Sequence, residues 1–192
     1  MAGTTTRQRY LDAVVEAMVR EGRTDLTLVV LAEEAGTSDR MLIYYFKTRE
    51  ALLTEAMDNI RVRRRKQLGA ALGRITRTDP ADGVRQILQW LCSDENAAAT
   101  RLWYDAAGRG VNGEEPFPAF LGGVIRDTVE EAEVAARRLG AADLDAQTFG
   151  TMFSALSTSL ACDCHATGDR ERVERAIEQS AGDLAALLAT PA

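Results

Sequence analysis

Long apolar runs are missing from this sequence, because charged residues break every hydrophobic stretch before the ~20 residues that a membrane-spanning helix needs. The first residues, Met-Ala-Gly-Thr-Thr-Thr-Arg, also lack the apolar core of a secretory signal. Only 3 cysteines occur among 192 residues, an odd number that does not make a disulfide framework. We therefore expect a protein without membrane contact that works in the reducing cytoplasm.

Residues suited to catalysis are scarce as well. The sequence has 1 histidine, His165, and it offers neither a phosphate-binding glycine loop nor a Ser-His-Asp arrangement. We therefore predict no catalytic site, no cofactor and no metal site.

Proline is rare, and its positions divide the chain into helical segments. Of the 4 prolines, Pro80, Pro116 and Pro118 fall in polar junctions, the last two in a predicted loop over Gly108–Pro118. Between these junctions, apolar residues recur at the three- and four-residue spacing of amphipathic helices. No segment shows the alternation of a strand, so the fold is predicted to be all-α.

Charge is distributed unevenly along the chain. The net charge is −6, but residues 1–66 hold 12 Lys/Arg against 10 Asp/Glu, whereas residues 67–192 hold 11 against 19. A chain of which only the N-terminal end approaches phosphates would show this asymmetry.

Two short predicted helices near the N-terminus are joined by a glycine-containing turn. Thr27 is the expected N-cap of the first, Gly36 supplies the turn, and Ser38 is the expected N-cap of the second. In the second helix, over Ser38–Tyr45, Leu42 and the following Phe46 are predicted to pack inward. This arrangement predicts a helix-turn-helix whose second helix enters the DNA major groove.

The outward face of that helix is predicted to carry Arg40, Met41, Tyr44 and Tyr45. Arginine can form two hydrogen bonds with guanine, and tyrosine can reach a phosphate or a thymine methyl group. Lys47 and the N-terminus of the next helix suit backbone phosphates. The predicted DNA-binding residues are Thr27, Thr37, Ser38, Arg40, Met41, Tyr44, Tyr45, Lys47 and Arg49.

These residues form a pattern that resembles the tetracycline-repressor (TetR) family over residues 7–53. The matching positions are Thr27, Leu31, Ala32 and Ala35-Gly36-Thr37-Ser38, then Tyr44-Tyr45-Phe46, Thr48-Arg49-Glu50 and Leu52-Leu53. The sequence departs from the family pattern at Ile43, where an aromatic is usual, at Arg49, where lysine is usual, and at Met18, where phenylalanine is usual.

The resemblance implies about nine helices, a homodimer with one recognition helix per subunit, and a C-terminal domain that responds to a ligand. We therefore divide the chain into a helix-turn-helix DNA-binding domain, 1–53, and a helical ligand-binding and dimerisation domain, 54–192. The expected function is repression from a pseudo-palindromic double-stranded DNA operator, with release by a small molecule. The final helices, predicted over Asp145–Thr167 and Asp169–Leu188, carry apolar stripes and are expected to form the dimer interface.

Most aromatic residues of the C-terminal half are candidates for a ligand pocket, which would take an apolar or aromatic molecule. They are Trp90, Trp103, Tyr104, Phe117, Phe120, Phe149 and Phe153. At helical spacing, the same residues would equally form a filled core, so both interpretations stay open.

Two polar clusters lie outside the predicted helix-turn-helix. The basic stretch Arg61–Lys66 closes the helix predicted from Thr48, far from its DNA-facing end, so we interpret it as a solvated helix end. Cys162 and Cys164 point about 200° apart on one helix, so burial in the core is favoured over joint metal binding. A metal- or thiol-responsive regulator using Cys162, Cys164 and His165 stays an alternative, as does a helical enzyme with a non-binding helix-turn-helix.

Overall fold

The computed structural model describes residues 5–75 and 79–188. These two ranges form nine α-helices and a 3₁₀ turn over Asp94–Asn96, without a β-strand. The helices are α1 (Thr6–Glu21), α2 (Leu28–Glu34), α3 (Asp39–Phe46), α4 (Arg49–Ile75), α5 (Pro80–Leu91), α6 (Ala97–Val111), α7 (Phe117–Arg138), α8 (Asp143–Thr167) and α9 (Arg170–Leu188). The predicted all-α fold with about nine helices is confirmed.

Short polar side chains start α2, α3 and α4 at the predicted residues. The hydroxyl oxygens of Thr27, Ser38 and Thr48 accept hydrogen bonds from backbone N–H groups three residues later, over 3.3, 3.3 and 3.0 Å. These bonds satisfy N–H groups that have no partner inside the helix. At the C-terminal end of α1, Gly22 has a φ of 68°, the left-handed conformation that commonly ends a helix.

The chain divides into two compact units, of which unit 1 comprises Met1–Arg63 with Ala98–Gly123. Its α1–α2 loop is held by α6. The backbone N–H and the hydroxyl of the buried Thr24 both donate to Asp105 Oδ2, over 2.7 and 2.5 Å, and Arg109 Nη1 donates to the Thr24 hydroxyl over 2.9 Å. The buried side chains of unit 1 include Val14, Val15, Met18, Leu42, Phe46, Leu52, Leu102 and Phe117.

Unit 2 comprises Arg64–Ala97 with Val124–Ala192. In this unit α5, α8 and α9 pack against one another. Its core includes Leu72, Val84, Leu88, Phe149, Phe153, Ile177 and Leu184, all buried. The predicted boundary between residues 53 and 54 lies inside α4, and the division into a DNA-binding and a ligand-binding domain stays a prediction.

Two predicted helix ends are wrong. Helix α4 continues past Lys66 to Ile75, and α6 continues to Val111, inside the segment expected to be a loop. Gly110 lies in the segment predicted as a loop, and a Cβ there would lie 3.0 Å from the carbonyl oxygen of Phe117. The glycine therefore allows close approach of the chain within a helix.

No helix in the described ranges is long and apolar enough to cross a membrane.

Candidate nucleic-acid interface

The turn between α2 and α3 has the tight geometry that a helix-turn-helix requires. Gly36 has a φ of 65°, and its N–H donates to Glu33 O over 3.0 Å. The Thr37 N–H donates to Ala32 O over 2.9 Å, which closes the end of α2. Because a positive φ strains most residues with a Cβ, the glycine allows the chain to reach the N-cap of α3, Ser38, two residues later.

Helix α3 has one anchored face and one exposed face. Leu42 is fully buried and Phe46 is 2% exposed, as predicted. Arg40, Met41 and Tyr44 are exposed, and Tyr44 keeps 66% of its surface. An arginine, a thioether and a phenol are therefore presented together on a helix that is fixed from behind.

Tyr45 differs from the other members of the predicted outward set, because it is half-buried. Its ring lies edge-on to Tyr10 of α1 and to Tyr44, with ring centres 5.5 and 5.2 Å apart. Such aromatic pairs are stabilising in this orientation. Tyr10 was missed by sequence reasoning, although it belongs to the apolar face of α1 together with Val14.

The remaining predicted contacts surround the ends of α2 and α3. Thr27, Ser38 and Lys47 are exposed, whereas Thr37 is half-buried. Arg49 is half-buried, and its Nη2 donates to Leu26 O over 3.1 Å. Arg49 therefore ties the start of α4 to the loop before α2, a role that the sequence did not suggest.

The Arg61–Lys66 cluster is not a solvated helix end, and that interpretation is wrong. It lies in the middle of α4, where Arg63 pairs with Glu16 of α1 and, over 2.8 Å, with Asp12. Its charge is therefore engaged by the α1 carboxylates of unit 1.

In unit 2, the next two arginines bind α7. Arg65 pairs with the buried Asp127 over 2.9 Å and with Glu131 over 2.9 Å, and the hydrogen bond with Glu131 raises the Arg65 pKa. Arg64 Nη1 donates to the Thr128 hydroxyl over 3.0 Å, and burial lowers the Arg64 pKa. The cluster therefore joins helices instead of forming a free basic patch.

The seven aromatic candidates for a ligand pocket fall into two sets. In unit 1, Trp103 lies 6.2 Å from Phe120 between ring centres. In unit 2, Phe149 and Phe153 stack at 5.9 Å within the buried core. The other three are Tyr104 and Phe117 in unit 1 and the 41%-exposed Trp90 in unit 2.

The cysteine cluster on α8 packs against the end of α5. The buried Cys164 thiol donates to Cys92 O at 3.6 Å, and the buried Cys92 thiol donates to Leu160 O at 3.7 Å. Burial, together with the neighbouring Cys164, raises the Cys92 pKa to about 12. The favoured prediction, burial, describes Cys164, whereas Cys162 is half-buried, and the sequence did not indicate Cys92 as the neighbour of Cys164.

Among the described residues, no three potential ligand side chains form a group that could hold a metal ion. His165, the remaining member of the cluster, has its Nε2 3.3 Å from Leu91 O.

The fold and this interface define a helical protein with an N-terminal helix-turn-helix. No protein-family model matches the chain. The chain is similar to the HTH-type transcriptional regulator BetI of Stenotrophomonas maltophilia (strain R551-3), with 29% identity over 99 residues, or 50% of this chain and 50% of that protein. The match thus spans about half the length of this curated relative.

Two solved structures similar to this chain over nearly its whole length are TetR-family transcriptional regulators. A TetR-family regulator from Rhodococcus sp. is 22% identical, with a TM-score of 0.71, over 94% of this chain and 99% of that one. A TetR-family regulator from Mesorhizobium loti MAFF303099 is 13% identical, with a TM-score of 0.73, over 94% and 95% of the two chains. The chain therefore has the fold of TetR-family transcriptional regulators, as the sequence resemblance implied.

Proposed function

We propose that this protein is a DNA-binding transcriptional regulator, a repressor that a small molecule releases from a pseudo-palindromic operator. The observation that carries the proposal is the exposed face of α3, where Arg40, Met41 and Tyr44 project from a helix anchored by Leu42 and Phe46. A recognition helix requires this combination of a fixed back and an exposed polar front. A regulator of this kind works on chromosomal DNA, so we place it in the cytoplasm.

In this proposal, the contacts divide between base reading and phosphate binding. Arg40 and Met41 lie near the N-terminus of α3, the part of a recognition helix that reaches base edges. Tyr44 and Lys47 lie at its exposed C-terminal end and bind phosphates. Further contacts with the DNA backbone come from Thr27, Thr37 and Ser38. Tyr45 and Arg49 support this surface from partly buried positions.

Two variants test this division on a duplex that the wild-type protein selects from a randomised library. Arg40→Ala should weaken binding to that duplex by about 1–3 kcal/mol and relax preference at one base pair. Lys47→Ala should weaken selected and scrambled duplexes alike, and lower the salt slope by about one. An Arg40→Ala protein with full discrimination would contradict the assignment of Arg40 as a base reader.

We further propose that α8 and α9 form a homodimer interface. An uncharged row runs along the exposed face of α8, consisting of Leu144, Thr148, Met152, Ala155 and Ser159. Leu144 keeps 74% and Met152 39% of its surface in the single chain, and the small Ala155 and Ser159 that follow Met152 in this row allow close approach of a second copy. Sedimentation at micromolar concentration should give twice the 20.9 kDa chain mass, and Ala155→Arg should give the monomer. A wild-type monomer would contradict the proposal.

The proposed ligand is an apolar or aromatic molecule that carries a hydrogen-bond donor. Its apolar part follows from the Trp103–Phe120 pair of unit 1, and its donor from Asn59 of the same unit, whose buried Oδ1 accepts no hydrogen bond in the described part of the chain. A buried acceptor without a donor is costly, so a ligand that supplies one gains affinity. Release requires reciprocity, so operator DNA must weaken ligand binding by the same factor as ligand weakens DNA binding. Equal ligand affinity with and without the operator would contradict this mechanism.

A further inference from the structure

The C-terminal end of the recognition helix α3 is capped without a glycine. Lys47 follows it with a φ of 74° and a ψ of −55°, and its N–H donates to Ile43 O over 2.8 Å. The Thr48 N–H donates to Phe46 O over 3.0 Å, which makes a strained three-residue turn around Lys47. The Lys47 Nζ donates to Tyr44 O over 3.3 Å. Lys47 thus donates to two carbonyls of the last turn, those of Ile43 and Tyr44, and introduces the turn that occupies a third, that of Phe46.

The remaining carbonyl of the last turn, that of Tyr45, receives its partner from α1. Arg7 Nε donates to Tyr45 O over 3.4 Å, although 38 residues separate the two positions. The guanidinium carbon of Arg7 also lies 4.6 Å from the centre of the Phe46 ring. Its Nη2 pairs with Glu55 Oε1 of α4 over 2.5 Å. One side chain therefore joins α1, α3 and α4 at the end of the recognition helix.

The position of this charge suits capping better than DNA binding. A cation at the C-terminus of a helix is stabilised by the negative end of the helix dipole and by the last carbonyl groups. The Arg7 and Glu55 side chains are 41% and 36% exposed. The Arg7 guanidinium is therefore partly covered by neighbouring residues of its own chain. Arg9, two residues later in α1, is exposed and carries the same charge.

We propose that Arg7 is a positioning residue that sets the orientation of the recognition helix, and that it does not bind a phosphate. The proposal rests on the function proposed above, because it concerns how α3 is held for reading DNA. Glu55 takes part in the same positioning, since its carboxylate holds the Arg7 guanidinium against α4.

Arg7→Gln and the matched Arg9→Gln each remove one positive charge from α1. Comparing the two variants therefore separates the effect of the contacts made by Arg7 from the effect of its charge. Binding to the selected and scrambled duplexes is followed by fluorescence anisotropy over a series of salt concentrations. Relative to Arg9→Gln, Arg7→Gln should weaken the selected duplex about tenfold, which corresponds to ~1.4 kcal/mol, and leave the scrambled duplex unchanged. Its salt slope should equal that of the wild type, because no phosphate contact is lost. A slope lower by about one, with equal losses on both duplexes, would overturn the proposal.

Glu55→Gln gives a second test whose sign differs between the two interpretations. Removing a negative charge near DNA strengthens binding if electrostatics alone acts, whereas loss of the Arg7 anchor weakens binding to the selected duplex. We expect weaker selected binding, together with faster hydrogen exchange of the Phe46 and Lys47 amides and unchanged exchange in α9. Stronger binding to both duplexes would overturn the proposal. A wild-type protein that prefers no duplex would instead contradict the proposed function itself.

Discussion

Gly22→Ala tests how the N-terminal helices are held, because two separate features make glycine necessary at this position. Its φ of 68° lies in the left-handed region, and a Cβ built on it would lie 2.8 Å from the carbonyl oxygen of Ala98 in α6. The backbone cannot easily move away, since Thr24 is bound to Asp105 through its N–H and its hydroxyl. An alanine therefore meets both a strained conformation and a backbone atom.

The size of each effect follows from these two features. The left-handed conformation costs an L-residue about 1–2 kcal/mol. Forcing a methyl group into a packed site adds about 1–3 kcal/mol, because neighbouring backbone must shift. Gly36 provides the matched control, since its φ is 65° but nothing lies within 4 Å of a Cβ there. Gly36→Ala should therefore show only the conformational cost.

Urea denaturation followed by far-ultraviolet circular dichroism measures both variants, at one fixed protein concentration because a dimer's stability depends on it. We expect Gly22→Ala to lose about 2–5 kcal/mol of unfolding free energy and Gly36→Ala about 1–2 kcal/mol. Equal losses would show that the Ala98 carbonyl oxygen is not close to position 22, or that it moves away without cost. That result would contradict the conclusion that α6 holds the α1–α2 loop in place.

Two further predictions concern unit 2. Arg65→Met should cost about 1–3 kcal/mol in urea denaturation, because the buried Asp127 carboxylate loses a charged partner. The control Arg175→Met breaks an exposed pair and should cost about 0–1 kcal/mol, and equal costs would contradict the role of Arg65. Iodoacetamide at pH 8 should modify the half-buried Cys162 well before Cys92, whose pKa of about 12 keeps its thiol protonated at that pH. Mass spectrometry of the digested protein gives the order, and faster labelling of Cys92 would contradict its burial.

The sequence predicts the helix-turn-helix well because local chemistry determines it. The caps at Thr27 and Ser38 act within three residues, and the positive φ at Gly36 requires only glycine's lack of a side chain. The burial of Leu42 and Phe46 follows from helical spacing, which needs no knowledge of what packs against them.

The errors and omissions concern partners that are distant in sequence. Arg65 resembles any solvated basic residue until α7 brings Asp127 to it, 62 residues later. Cys92 is separated from Cys164 by 72 residues, and Arg7 from Tyr45 by 38. No local pattern identifies such partners, because each pairing depends on how the helices pack.

The central claim is that α3 reads DNA sequence, and selection from a randomised duplex library by the purified wild-type chain tests it most directly. We predict enrichment of one pseudo-palindromic sequence, with half-sites separated by one helical turn of DNA or a multiple of it. Binding to that duplex should exceed binding to its scrambled version by about 10³-fold or more. A library that shows no enrichment, with equal binding to every duplex, would contradict the claim.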